Sequence, residues 1–179
     1  MGPTDRARII AAMKLQVRRL LHGHTETIAG TVYGTIVVLS MITAGAASYE
    51  DDPWRLVAIV VSGTVVLWAA HGYSHGLGES VRVRRRLASH EIMAIAGRES
   101  SILLAAVLPV AAIALGAAGL LSERLALWLA IGVGVAALAV QALRYARLER
   151  LGSIGTAVAI AANLGFGGVF VVLKAFLAH

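Results

Sequence analysis

Apolar residues fall along this chain in long uncharged runs separated by short charged stretches, a pattern that predicts membrane-crossing helices more than a soluble core. Between Glu26 and Glu50 lie 23 residues without a formal charge, TIAGTVYGTIVVLSMITAGAASY. At 1.5 Å rise per residue such a run crosses a hydrocarbon core of about 30 Å. Further runs of similar character predict spans at about 56–78, 100–122, 125–143 and 151–173, after a first span at about 27–49. The third is ambiguous at its start. Ile92-Met-Ala-Ile-Ala96 precedes Arg98-Glu99, so the span begins either near 92 or, the reading favoured here, near 100 after a short interfacial helix. Placing Arg98 and Glu99 in hydrocarbon costs several kcal/mol unless they pair or face water.

Ahead of the first span, Ile10, Met13, Val17, Leu20 and Leu21 recur at three- and four-residue spacing, with Arg8, Lys14, Arg18 and Arg19 on other faces. This predicts an amphipathic interfacial helix within residues 1–26, lying on anionic lipid. A cleavable signal peptide is the competing reading, since Ala44-Gly45-Ala46 follows a basic start, but the apolar run exceeds a signal h-region and carries Thr31, Tyr33, Thr35 and Ser40. The expected fold is thus all-α: one membrane domain over 1–179, a bundle of five transmembrane helices plus an N-terminal interfacial amphipathic helix.

Composition agrees with this: 58% of residues are hydrophobic and 15% charged, against about 45–50% and about 25% in soluble domains. The net charge of +6 reads as topology. Thirteen of the sixteen Lys and Arg residues fall before span one, between spans two and three, or between spans four and five. Positive loops resist translocation, so the sequence predicts a multi-pass protein of the cell (inner) membrane, with the N-terminus cytoplasmic and the C-terminus outside. No independent basic domain exists to bind nucleic acid. With no cysteine, thiolate metal sites, Fe–S clusters and cysteine nucleophiles drop out.

Candidate chemistry concentrates in Trp68-Ala-Ala-His71-Gly-Tyr-Ser-His75-Gly-Leu-Gly-Glu79. His71, His75 and Glu79 are spaced i, i+4, i+8, each about 40° around a helix from its predecessor, and form one stripe. Imidazole with carboxylate suits a divalent metal such as Zn, Fe or Mn, and equally a proton relay. His24, Glu26, Tyr33, His90, Glu99 and Asn163 form a second tier of ligands or pathway residues, with Trp68 beside them. Each also admits a packing reading: a neutral histidine can simply bond a neighbouring helix. Gly72-x3-Gly76, Gly132, Gly134, Gly165, Gly167 and Gly168 predict close helix approach. No H-E-x-x-H, Walker loop or G-x-G-x-x-G opening a helix after a strand is present, and the chain is not expected to be an enzyme.

Trp68-Ala-Ala-His71 resembles the W-x-x-H-H signature of the bacterial relatives of the lysosomal potassium channel, with Gly72 in place of the second histidine. The family's R-x-x-x-F-S-D motif at span one is replaced by Thr27-Ile-Ala-Gly-Thr-Val-Tyr33-Gly-Thr, and five spans stand for the family's six. The similarity runs over about residues 27–115. It implies an oligomeric cation pathway lined by span one, with Trp68 and His71 as inter-helix supports. The sequence therefore predicts a small, homo-oligomeric membrane protein that conducts or transports a cation (a divalent metal, a proton or potassium). The alternative is a non-transporting scaffold or accessory subunit that binds a partner or anionic lipid.

Overall fold

The computed structural model describes residues 28–46 and 52–177, with side chains described to residue 169 and at 172. The predicted interfacial helix at 1–26, with His24 and Glu26, lies outside the described residues. Six helices follow in order: α1 (Ile28–Gly45), α2 (Pro53–Val83), α3 (Ser89–Arg98), α4 (Ser100–Ala117), α5 (Glu123–Leu148) and α6 (Ser153–Leu177). There are no strands among the described residues.

The chain is an all-α bundle whose α1, α2, α3–α4 and α5 are long and apolar enough to cross a membrane. In α6 the described apolar stretch is Ser153–Val169, within a helix of 25 residues. Helix ends sit where local chemistry puts them. Asp52 caps α2, its carboxylate accepting from the Arg55 N–H at 3.1 Å, with Pro53 at the first turn. Ser122 caps α5 in the same way. The stop of α4 comes at Ala117, five residues short of the 122 expected from apolarity, because Gly119 takes φ 74°. The Gly119 and Leu120 amides then close back on the Gly116 and Leu115 carbonyls, the paired bonds of a glycine-terminated helix. Helix α5 runs past the expected 143 to Leu148.

Helices α3 and α4 meet at Glu99, and together Ser89–Ala117 form one stretch long and apolar enough to cross a membrane. Helix α3 is held to the preceding loop by Glu91, which accepts from Arg85 Nη1 and Nη2 at 2.8 Å and from the Ala88 N–H.

Helix α1 is central. Val38, Leu39 and Ile42 are fully buried against Leu56 and Val60 of α2, Ile113 of α4, and Ile131 and Leu138 of α5. Helix α6 packs on α5. Two of the glycines singled out by the sequence do sit at contacts: a Cβ on Gly134 would lie 2.6 Å from Leu39, and one on Gly167 3.0 Å from Val135. Around Gly72, Gly76, Gly132, Gly165 and Gly168 there is open space instead. The close crossing is elsewhere, at Gly30 and Gly34 of α1. A Cβ on Gly34 would lie 3.0 Å from the Ile102 Cα and 3.1 Å from its carbonyl oxygen, and one on Gly30 would collide with Ser101. Gly34→Val therefore forces α1 and α4 apart and is expected to cost about 1–3 kcal/mol, the usual range for overpacking. Thermal unfolding in detergent reads this directly, and Gly132→Val, made into open space, should be close to neutral.

Candidate functional site: a histidine–carboxylate cluster between α2 and the α3–α4 junction

The 31 residues of α2 run from the central helix contacts at Leu56 to the charged loop after Val83, and put the histidines near their far end. Counting from Leu56, His71 lies about 22 Å and His75 about 28 Å along the helix. Trp68 fixes this part of α2: its indole Nε1 donates to the Ala96 carbonyl of α3 at 3.0 Å. One turn on, the imidazoles of His71 and His75 lie side by side, ring centroids 4.7 Å apart.

Facing them is Glu99, delivered by the α3–α4 junction. Its carboxylate straddles the two histidines: Oε1 is 2.5 Å from His75 Nδ1, and Oε2 is 3.7 Å from His71 Nε2. This is hydrogen-bonding distance, and it joins the α3–α4 junction directly to the histidine face of α2. The Glu99 side chain is 10% exposed, those of His71 and His75 34% and 55%. The carboxylate thus forms the base of the cluster and the imidazoles its open side. Tyr33 of α1 stacks on His71, centroids 5.4 Å apart and planes 28° from parallel, and so limits the rotation of that ring.

The structure brings together four of the residues singled out by the sequence, His71, His75, Glu99 and Tyr33, with Trp68 one turn away. It sends the others elsewhere. Glu79 extends the stripe on α2 but turns from the cluster to a bidentate pair with Arg82, at 2.6 and 2.8 Å. His90 is exposed at the start of α3. Asn163 donates to the Ala159 carbonyl within α6, a helix that packs on α5. The carboxylate of the cluster is therefore Glu99 and not Glu79.

Chemically, one ligand atom each from His71, His75 and Glu99 lie within 4.8 Å of one another. Tetrahedral coordination with bonds of about 2.0–2.1 Å sets its donors about 3.3 Å apart, so side-chain rotations within the cluster suffice to close it on an ion. Two imidazoles and one carboxylate are a borderline-soft set, suited to Zn, Mn or Fe and leaving coordination positions open on the exposed side. An ion there would take the lone pairs that now face each other across the His75–Glu99 contact. Comparison with family models, with curated proteins and with solved structures returns no match, and the functional reading rests on this geometry.

Proposed function

We propose that this chain is a membrane cation transporter or channel in which His71, His75 and Glu99 bind a divalent metal in exchange for a proton. The observation that carries the reading is the convergence of His71, His75 and a nearly buried Glu99, one ligand atom of each within 4.8 Å of the others, on helices apolar enough to cross a membrane. An ionisable group as little exposed as Glu99, on a helix of this character, is costly unless paired or used. Metal and proton compete for the same lone pairs, so movement of one is linked to movement of the other. Tyr33 holds His71 in orientation, and Trp68 keeps α2 and α3 in register.

The cluster shares its end of the bundle with Arg82, Arg84, Arg85 and Arg86 in the segment after it. On the positive-inside rule that end faces the cytoplasm of an inner membrane, the N-terminus lies on the same side and α6 leads the C-terminus to the other. Chains this small enclose a pathway by assembling, so a homo-oligomer is part of the proposal, with α1 facing the pathway and anionic lipid on the basic leaflet.

The test is uptake of Mn or Zn into proteoliposomes with internal pH followed at the same time. Metal entry with opposed proton movement, lost in Glu99→Gln and kept in Glu79→Gln, supports the reading. Absence of flux in the wild-type protein overturns it.

A second reading has its own observation. The Trp68–Ala96 and His75–Glu99 bonds both tie α2 to the α3–α4 segment, and a scaffold needs no more than that. It predicts a stable protein with neither metal nor flux, in which Glu99→Gln lowers only the melting temperature. Trp68→Phe separates the contributions: losing its single hydrogen bond is expected to cost about 0.5–1.5 kcal/mol, seen in thermal unfolding, while metal stoichiometry is retained.

A further inference from the structure

A cleft of about 500 Å³ lies between α2 and α3, lined by Trp68, Gly72, Gly76, Leu77 and Ile92, with Arg86 from the connecting loop. Gly72 and Gly76 carry no function at a helix crossing, because a Cβ on either would meet nothing within 4 Å. They lie instead along an open, apolar groove of a size that accommodates a small-molecule ligand. The end of α2 and the loop after it carry four arginines, and they are not equivalent. Arg82 is taken by Glu79 and Arg85 by Glu91. Arg84 and Arg86 are exposed and have no carboxylate partner among the described residues.

An occupant must therefore be apolar along most of its length and anionic where it meets Arg86. The chain's own amphipathic segment at 8–21 fails the second condition, since Arg8, Lys14, Arg18 and Arg19 would be brought against Arg84 and Arg86. A phospholipid meets both conditions: an acyl chain fills the glycine-lined groove and the phosphate pairs with a guanidinium, the preferred side chain for that anion. We propose that the α2–α3 groove is a discrete site for one anionic phospholipid, selected by Arg86. This goes beyond the cation reading and does not depend on it.

Trp68 lines the groove, so it reports occupancy. In the full-length chain carrying Trp54→Phe and Trp128→Phe, Trp68 is the sole tryptophan. Reconstituted into phosphatidylcholine vesicles, it should be quenched by acyl-brominated phosphatidylglycerol in a saturable manner at low mole fraction, several-fold more than by brominated phosphatidylcholine. Arg86→Gln, an exposed change that spares the fold, should abolish the headgroup preference. Gly76→Leu should remove the saturable component. Equal, non-saturating quenching by both lipids would reduce the groove to ordinary bilayer contact and overturn the proposal. Quenching by neither would mean that protein fills the groove, and would overturn it as well.

Discussion

Glu99→Gln is expected to lower divalent-metal affinity about 100-fold or more, whereas Glu79→Gln should leave it within about twofold. The two residues are both acidic and near the same end of the bundle, but only Glu99 presents its oxygens to His71 and His75, while Glu79 is occupied by Arg82. Loss of a group that merely orients a metal ligand already costs about 10–100-fold, so removal of a charged ligand lies at or above the top of that range. The amide keeps the shape of the side chain and its hydrogen bond to His75, which separates lost ligation from lost packing. Isothermal titration with Zn in detergent distinguishes the variants. The same titration repeated toward acid pH should show affinity falling, because protons compete for the imidazoles and for the carboxylate.

His71→Ala/His75→Ala is expected to destabilise the protein by about 1–3 kcal/mol, and adding Glu99→Gln should recover part of that loss. Removing both imidazoles leaves a nearly buried carboxylate without its hydrogen-bonding partners, and leaving a buried polar group unsatisfied has costs of this size. Chemical denaturation of the single, double and triple variants, read as a cycle, measures the coupling. Additive losses would mean that the histidines and Glu99 do not act as one unit.

Much of the architecture was legible because the solvent imposes it. Uncharged runs of about twenty residues have few alternatives to a membrane-crossing helix, and the starts of α2 and α5 carry ordinary capping residues at Asp52 and Ser122. The end of α4 was less legible, since Leu120 and Leu121 continue the apolar run past a stop that depends on the backbone conformation of Gly119. Half of the site was also readable: His71 and His75 share a face of one helix, and periodicity along one helix reveals that. Periodicity cannot reveal which carboxylate a second helix delivers. It therefore favoured Glu79, eight residues along the same stripe, over Glu99, twenty-four residues from His75 in sequence. Two local facts could have raised Glu99: it sits at the break between an amphipathic and an apolar helix, and Glu79 has an arginine three residues on that can take it. Glycine patterns misled for a related reason. G-x3-G at 72 and 76 and at 30 and 34 look alike in sequence, yet only the latter pair packs against another helix, Gly30 on the Ser101 side chain and Gly34 on the Ile102 backbone, because α1 is central and α2 lies toward the outside.

The most direct test is a Zn or Mn titration of the purified full-length protein in weakly buffered detergent solution, with bound metal measured by elemental analysis and released protons by a pH indicator. The account predicts close to one metal per chain with net proton release, both lost in Glu99→Gln. Absence of bound metal in the wild-type protein, or metal bound without proton release and indifferent to Glu99, would contradict it.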